Sequence, residues 1–239
     1  MTYQSGLFSG KRVLVTGGTR GIGAAVANRL AELGARVLAT ARDTANTELN
    51  DNVDVAAMDV TRAADVERVI AGLDRLDAVV NCAGAIQRGK EHSIDVFEHV
   101  VDVNLTGTMR VCSAARPLLA KSRGAIVNTA SMLSYFGGSL VPAYSASKGG
   151  VAQLTKSLAI AYAADGIRVN AIAPGWIATG FTQGVQDDAE RSRAIVERTP
   201  MGRWGKPDDV AKVAVFLCTE AAGFVTGTII PVDGGYLAV

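Results

Sequence analysis

The sequence is poor in the residues that mark disulfide-linked and metal-binding proteins. It contains three cysteines, Cys82, Cys112 and Cys218, an odd number at wide spacing, which argues against a disulfide framework and predicts reduced, buried thiols. Its only histidines, His92 and His99, lack the spacing of a zinc motif. We therefore expect no bound metal, and a metal hydrolase is the weakest of the candidate functions.

The sequence also lacks long apolar runs and any excess of charge. No run reaches the roughly 18 apolar residues of a membrane span, and residues 1–10 do not have the pattern of a signal peptide. The formal net charge is only +1, which gives no reason to expect a nucleic acid as partner. These absences favour a cytoplasmic protein with a small-molecule partner and no membrane contact.

What the sequence does have is a regular alternation of short apolar runs and longer amphipathic segments. Hydrophobic residues make up 49% of the 239 residues, and no linker divides them, so we expect a single domain over residues 1–239. The alternation predicts an α/β protein: a doubly wound Rossmann fold whose seven-stranded parallel sheet carries helices on both faces. The predicted strands are Arg12–Thr16, Arg36–Ala41, Val53–Met58, Ala78–Asn81, Ala125–Ala130, Arg168–Ala173 and Thr228–Val232.

The segments between these strands have helical length and composition. Pro117 is expected to kink or end the long fourth helix, because proline lacks the amide that a helix interior needs. The polar, glycine-interrupted segment of about residues 179–204 is expected to form a mobile lid. The predicted helices are Gly23–Leu33, Ala63–Leu73, Ile94–Ala120, Ala143–Ala164 and Pro207–Cys218.

A glycine-rich loop stands between the first strand and the first helix. Glycines here let the backbone turn tightly and approach a pyrophosphate, while the helix N-terminus offers free amides and a positive dipole end. The spacing departs from the G-x-G-x-x-G fingerprint, and an ordinary tight turn is the alternative. The loop residues predicted to bind the cofactor are Gly17, Thr19, Arg20, Gly21, Ile22 and Gly23.

The end of the second strand indicates which cofactor the protein uses. An acidic residue there holds the adenosine ribose diol of NAD, whereas a basic residue suits the 2′-phosphate of NADP. Arg42 ends the strand and Arg20 can assist it, while Asp43 comes one position late for the diol. The sequence therefore favours NADP(H), with NAD(H) possible and a solvated charge at Arg42 as the alternative.

The segment Tyr144-Ser145-Ala146-Ser147-Lys148 puts a phenol and an ammonium on one helix face. A nearby cation favours the phenolate, so Lys148 and a cationic nicotinamide can lower the pKa of Tyr144 enough for it to exchange a proton with a substrate oxygen. Ser131, after the fifth strand, is expected to hydrogen-bond the same oxygen. Asn104 is expected either to hold a water that links Lys148 to solvent or to be a surface amide.

These motifs together resemble the short-chain dehydrogenase/reductase family over essentially the whole chain. The resemblance implies a catalytic tetrad of Asn104, Ser131, Tyr144 and Lys148, with Lys148 also binding the ribose, and a homotetramer. It departs from the family at Cys82, where a second asparagine is usual. The further cofactor-binding residues that it implies are Asp59, Val60, Asn81, Ala83, Gly84, Pro174, Gly175, Ile177 and Thr179.

Two stretches, Ala130–Gly138 and Arg198–Gly205, are similar to those of sugar-acid dehydrogenases that act on 2-dehydro-3-deoxy-gluconate or on gluconate at carbon 5. A carboxylate substrate needs a cationic partner, and Arg88 or Arg193 can supply one, with a solvated arginine as the alternative for each. Ser131, Tyr144 and Trp176 are the other predicted substrate contacts. The rival functions are reduction of 3-oxoacyl groups on acyl carrier protein and a non-catalytic, cofactor-binding subunit.

Overall fold

The computed structural model describes residues 3–239 and contains one seven-stranded sheet in the order β3-β2-β1-β4-β5-β6-β7. Every neighbouring pair of strands is parallel. The predicted doubly wound fold is confirmed, and each predicted strand agrees with an observed one to within one residue at either end. The strands are β1 Arg12–Thr16, β2 Arg36–Ala41, β3 Asp54–Ala57, β4 Ala78–Asn81, β5 Ala125–Thr129, β6 Arg168–Pro174 and β7 Ile229–Val232.

The α-helices follow the strands in the order that a parallel sheet requires. Within residues 3–239, no helix has both the length and the apolar composition needed to cross a lipid bilayer. The α-helices are α1 Gly21–Glu32, α2 Ala63–Ala71, α3 Ile94–Val101, α4 Gly107–Ser122, α5 Pro142–Ala161, α6 Gln183–Gln186, α7 Ala189–Arg198 and α8 Pro207–Cys218.

Helices cover both faces of the sheet because successive strand residues point to opposite sides. Val13 and Val15 of β1 belong to a core with residues of α1 and α8, whereas Leu14 belongs to a second core with residues of α2, α4 and α5. Both sides of the strand are therefore apolar. This is why the central strands read as continuous hydrophobic runs in the sequence.

The segment predicted as a single helix over Ile94–Ala120 is not one α-helix. The chain forms α3 and α4 with a π-helical turn, Asp102–Thr106, between them. Pro117 does not end α4, which continues to Ser122, because burial of Ala115 and Leu119 stabilises the helix on both sides of the missing amide. The interruption is the π-helical turn that contains Asn104, at the edge of the sheet where the predicted site residues lie.

The connection from β2 to β3, residues 42–53, contains no helix. It folds back onto α1, where the Asn28 side chain donates to the carbonyl of Glu48 at 2.8 Å and accepts from the amide of Asn50 at 2.9 Å. The connection is thereby held beside the glycine loop.

A chain of buried polar side chains crosses the centre of the sheet. The Asn81 amide donates to Asn128 Oδ1 at 3.0 Å, and the Asn128 amide donates to the Thr155 hydroxyl at 3.0 Å, which joins β4 and β5 to α5. Asn128 and Thr155 are fully buried. Because buried polar groups lose water on folding, each depends on these partners.

Replacing Asn128 with Ala should lower the free energy of unfolding by about 2 to 4 kcal/mol, because Asn81 and Thr155 each lose a buried partner and a cavity remains. Asn52→Ala, at an exposed position in the β2–β3 connection, is the control and should change it by less than about 0.5 kcal/mol. Urea unfolding of the three proteins measures the difference. Equal stabilities would contradict the role given to this chain of side chains.

Candidate active site

The strand order reverses between β1 and β4, and the loops that leave the carboxyl ends of these strands diverge there. In an open parallel sheet such a point forms a ligand-binding crevice. The predicted glycine loop follows β1, Cys82–Gly84 follow β4, and Ser131 follows β5. The topology thus brings the predicted cofactor and catalytic segments to one edge of the sheet.

The glycine loop is closely packed against the loop after β4. Gly17 has φ +60°, and a Cβ atom on it would lie 2.6 Å from the amide nitrogen of Ala83. A Cβ atom on Gly23 would collide with the carbonyl oxygen of Gly17. Among the described residues, the Ile22 amide at the start of α1 has no hydrogen-bond acceptor. Bare backbone with a free helix-terminal amide fits the pyrophosphate of a dinucleotide.

The rim of this loop carries two acids that the sequence did not assign to it. The Gly21 amide donates to Glu48 Oε2 at 2.8 Å, and Arg20 forms an ion pair of 3.2 Å with Asp43. Arg42 is exposed and forms no ion pair within the described chain. Of the two arginines predicted to hold a 2′-phosphate, therefore, Arg20 is engaged by a carboxylate and Arg42 is available.

Asp59 and Val60 follow β3 at the same edge of the sheet. Asp59 Oδ1 accepts from the amide and the hydroxyl of Thr61, at 2.9 and 2.8 Å. Burial alone would raise the pKa of Asp59, but these hydrogen bonds and the charge of Arg42 outweigh it and lower the pKa. Asp59 is therefore an ionised group beside Arg42. The Val60 side chain packs against Gly107 at the start of α4.

Ser131, Tyr144 and Lys148 come together at the end of β5. Ser131 starts a 3-10 turn, Met132–Ser134, and its hydroxyl accepts from the Leu133 amide at 3.1 Å. The same hydroxyl lies close enough to the Tyr144 phenol to lower its pKa. Lys148, whose Nζ lies 5.6 Å from the centre of the Tyr144 ring, is 3% exposed. The predicted serine, phenol and ammonium thus share one buried corner.

Burial dominates the electrostatics of this corner. It raises the pKa of Tyr144 to about 12, although the hydrogen bond with Ser131 lowers it, and the charge of Glu91 raises it further. Burial lowers the pKa of Lys148 to about 8, so its side chain is mostly charged at neutral pH. The lowering of the Tyr144 pKa that we expect from Lys148 and a cationic nicotinamide stays a prediction for the cofactor-bound protein.

Three hydrogen bonds that the sequence analysis missed join β5, the turn of Ser131 and α5. Lys148 Nζ donates to the carbonyl of Thr129, the last residue of β5, at 2.6 Å. The Ser134 hydroxyl donates to the backbone carbonyl of Lys148 at 2.7 Å and accepts from the Ser131 amide at 3.2 Å. The S-x-x-S spacing of residues 131 and 134 was the available signal, since such a pair caps a turn reciprocally.

Asn104 is fully buried, so the surface-amide alternative is wrong. Its carboxamide accepts from the Ala85 amide at 2.7 Å and donates to the Ala85 carbonyl and the Ser147 hydroxyl, each at 2.9 Å. The π-helical turn directs this side chain inward, as π turns often do at functional sites. Asn104 therefore clamps the chain just after Gly84 to the helix that carries Tyr144.

Asn81 ends β4, and Ala83 lies in the loop that follows it. Asn81 is buried in the polar chain described above, and the Ala83 amide donates to the Thr16 hydroxyl at 3.3 Å. Burial raises the pKa of the Cys82 thiol between them to about 11, against the hydrogen bond from Thr129 and the charge of Lys148. Cys82 is therefore a neutral packing group, as expected.

The predicted nicotinamide segment leaves β6 and passes over the crevice. Gly175 packs against Asp233, where a Cβ atom would lie 2.6 Å from that side chain, and Ile177 is buried. Thr179 lies beside the glycine loop, its side chain 3.3 Å from where a Cβ atom of Gly21 would be. The Phe181 ring lies 6.1 Å from the Tyr144 ring. Residues 179–181 thus connect the glycine loop with Tyr144.

Trp176 is placed differently from the other predicted substrate contacts. Its ring packs edge to face on Trp204 at 5.7 Å, and its buried indole nitrogen has no hydrogen-bond partner. It lines a cavity of about 350 Å³ with Met201, Arg203 and Asp233, whose lining includes none of the catalytic side chains. This geometry gives Trp176 a packing role.

Arg88 follows β4 on the rim of the crevice. Burial and the nearby charge of Arg191 lower its pKa, and the charge of Glu91 opposes them. Neither Arg88 nor Arg191 forms an ion pair within the described residues, whereas Arg193 pairs with Glu197 at 3.8 Å. The arginine of α7 that faces Arg88 is therefore Arg191, and not the Arg193 selected from the sequence.

Known proteins are similar to this chain over nearly its whole length. A family model described as enoyl-(acyl carrier protein) reductase matches residues 17–237. The 2-dehydro-3-deoxy-D-gluconate 5-dehydrogenase of Bacillus subtilis (strain 168) is 41% identical over 253 residues, which cover 100% of both chains.

Two solved structures from Agrobacterium tumefaciens are also similar. A protein provisionally assigned as a gluconate dehydrogenase superposes with a TM-score of 0.93 at 34% identity, over 99% of this chain and 100% of that one. A protein provisionally assigned as a 2-deoxy-D-gluconate 3-dehydrogenase, with bound NADP, has a TM-score of 0.88 at 40% identity, over 99% and 100%. The chain described here therefore belongs to the short-chain dehydrogenase/reductase family of NAD(P)-dependent oxidoreductases that act on CH–OH groups.

Proposed function

We propose that this protein interconverts a secondary alcohol and a ketone of a sugar acid, with NADP(H) as its preferred cofactor. The observation that carries the proposal is the convergence of Ser131, Tyr144 and Lys148 at the carboxyl edge of the sheet, beside the glycine loop. When bound, the nicotinamide cofactor supplies or accepts the hydride. The chain itself must then hold the substrate oxygen and move one proton.

In the direction of reduction, the Tyr144 phenol donates its proton to the substrate oxygen as the carbon takes up the hydride. The Ser131 hydroxyl donates a hydrogen bond to the same oxygen and orients the carbonyl. Lys148 stabilises the resulting phenolate through its charge and holds the cofactor ribose. In this proposal Asn104, besides clamping Ala85, holds the water through which Lys148 exchanges protons with solvent. In oxidation the same proton returns to Tyr144.

Tyr144→Phe should lower kcat about 100- to 10,000-fold in either direction, because it removes the only proton-transferring atom of the ring. Wild-type oxidation should rise with pH as the phenol ionises, because the phenolate is the base in that direction. Steady-state rates, followed by nicotinamide absorbance, measure both effects. Cofactor affinity, measured by fluorescence titration, should stay within about twofold, since the ring remains. Undiminished turnover in the variant would contradict the assignment.

NADP(H) is the proposed cofactor because Arg42 is exposed and unpaired at the end of β2. NAD(H) remains the alternative, and Asp43 is the residue that opposes NADP(H), since its carboxylate both pairs with Arg20 and repels a 2′-phosphate.

Asp43→Asn should raise the ratio of kcat/KM for NADPH over NADH, because it frees Arg20 from its ion pair. The rise should be only about two- to fivefold, because an exposed ion pair contributes little free energy. Asp51→Asn, an exposed change in the same connection, is the matched control and should leave the ratio unchanged. Kinetics with both cofactors measure the ratio. A ratio that falls in Asp43→Asn, or a clear preference of the wild type for NADH, would contradict the proposed cofactor.

The substrate is proposed to be an acid because the charge of Arg191 acts on Arg88 and neither guanidinium forms an ion pair within residues 3–239. Two neighbouring guanidinium groups repel, and a bound carboxylate relieves the repulsion with charge-assisted hydrogen bonds.

Arg88→Ala should raise KM for keto sugar acids about 10- to 100-fold and leave KM for neutral ketones within about twofold, because only the acid loses a charged partner. Arg193→Ala is the control, since Arg193 is exposed and pairs with Glu197, and it should change neither. A substrate screen that includes acyl thioesters supplies the comparison. Equal effects on acids and neutral ketones would refute the role of Arg88.

We further propose that residues 1–239 act as a single domain with segment 179–204 as a lid, in a cytoplasmic homotetramer. The contact of Phe181 with Tyr144 supports the lid. Two exposed apolar side chains, Ile160 at 81% and Phe224, which is fully exposed, support burial against other subunits.

A further inference from the structure

Glu91 is a buried carboxylate that the proposed mechanism does not use. Its side chain is 1% exposed, and it forms no ion pair with a lysine, arginine or histidine of the described chain. A charged group is rarely buried without a cation, because it loses its hydration. Its position therefore needs a compensating interaction that the rest of the structure supplies.

The compensation comes from two backbone amides on different elements. Glu91 Oε1 accepts from the amide of Gln87 at 2.8 Å, and Oε2 accepts from the amide of Tyr144 at 2.8 Å. Tyr144 lies in the first turn of α5, whose N-cap residue, Val141, makes no side-chain cap. Glu91 thus caps this helix from a distant segment, where a negative charge is also favoured by the helix dipole.

Two more hydrogen bonds join the same segments. The Gly89 amide donates to the carbonyl of Leu140 at 2.8 Å, and His92 Nε2 lies 3.0 Å from the carbonyl of Ser139. The loop that carries Arg88 is therefore fastened along the chain that leads into Tyr144. Of these contacts, only the one through Glu91 reaches the catalytic residue.

We propose that Glu91 is a positioning residue, which fixes the backbone of Tyr144 relative to the substrate-facing loop after β4 and places a negative charge behind the phenol. This inference rests on the proposed role of Tyr144 as the acid and base. Because the two amides bind both oxygens of the Glu91 carboxylate, the phenol hydroxyl stays beside Ser131 and Arg88 stays at the mouth of the crevice. Its charge makes the phenolate less favourable, so that Tyr144 keeps its proton until the substrate oxygen takes it.

The charged groups of this site come from three elements. Lys148 lies on the same helix as Tyr144, Glu91 and Arg88 lie in the loop after β4, and Arg191 lies on α7. Cys82, also in the loop after β4, is a neutral thiol beside Lys148. Glu91 is the only carboxylate whose charge raises the pKa of Tyr144. Removing this charge while the ring keeps its position should therefore lower the pKa of the phenol.

Three variants separate position from charge. Glu91→Gln removes the charge and keeps one acceptor oxygen, whereas Glu91→Asp keeps the charge but is too short to reach both amides. Glu98→Gln removes an exposed carboxylate from α3 and is the control. Thermal unfolding checks that each variant is folded, and kcat, KM and the pH profile of alcohol oxidation are measured for each.

Glu91→Gln and Glu91→Asp should each lower kcat about 10- to 100-fold, with KM for the cofactor within about twofold, because each loses a charge-assisted hydrogen bond to the catalytic helix. In oxidation, the rising limb of the pH profile should move to lower pH in Glu91→Gln and stay in place in Glu91→Asp and Glu98→Gln. If the role of Glu91 were purely structural, Glu91→Gln would lower kcat together with thermal stability, and the rising limb of its pH profile would stay in place. That result, or wild-type kinetics in Glu91→Gln, would overturn the proposal.

A titration of phenolate absorbance distinguishes this failure from a failure of the proposed function. The absorbance of Tyr144 alone is obtained by subtracting the titration of a Tyr144→Phe variant from that of the matching protein. This subtraction is done once with wild-type Glu91 and once with Glu91→Gln. If no tested alcohol is oxidised by any protein, ionisation at a lower pH in Glu91→Gln still supports the effect of Glu91 on Tyr144. Ionisation at an unchanged pH would overturn it.

Discussion

The hydrogen bond from the Lys148 ammonium to the Thr129 carbonyl is the contact on which the rest of the site depends. It joins the middle of α5 to the last residue of a central strand, at 2.6 Å, and the Lys148 side chain is almost fully buried. A buried ammonium is costly without a partner, so the helix cannot slide along the sheet without losing this bond. Ser131, two residues after Thr129, is therefore held at a fixed distance from Tyr144, one helical turn before Lys148.

The other polar contacts of the site extend this constraint to the loops. Ser134 ties the turn of Ser131 to the backbone of Lys148, and Asn104 ties the chain after Gly84 to Ser147 on the same helix. The loops after β4 and β5 are thus both hydrogen-bonded to α5. Since the glycine loop packs directly on Ala83, it is joined through the same loop after β4 to Ser131, Tyr144 and Lys148. Proton transfer to a substrate oxygen requires groups that are already in position before the reaction begins.

The sequence was sufficient for the fold because the strands are buried on both faces and read as short apolar runs bounded by glycine or polar residues. The phenol, ammonium and serine could be found because their spacing and residue types are chemically distinctive. The π turn at Asn104 could not, since it depends on packing between α3, α4 and α5. Glu91 reads as an ordinary surface acid, and Arg191 and Arg193 differ only in which side of α7 they occupy. The electrostatic state of Tyr144 also depends on burial, which follows from the assembled site.

We infer that Ser131, Tyr144 and Lys148 face one dinucleotide held by the glycine loop. A crystal structure of the protein with bound NADP(H) is the decisive experiment. In it, the pyrophosphate should contact the amide of Ile22, the nicotinamide should lie against the hydroxyls of Ser131 and Tyr144, and Lys148 should reach the adjoining ribose. A dinucleotide bound away from the glycine loop, or a nicotinamide remote from Tyr144, would contradict it.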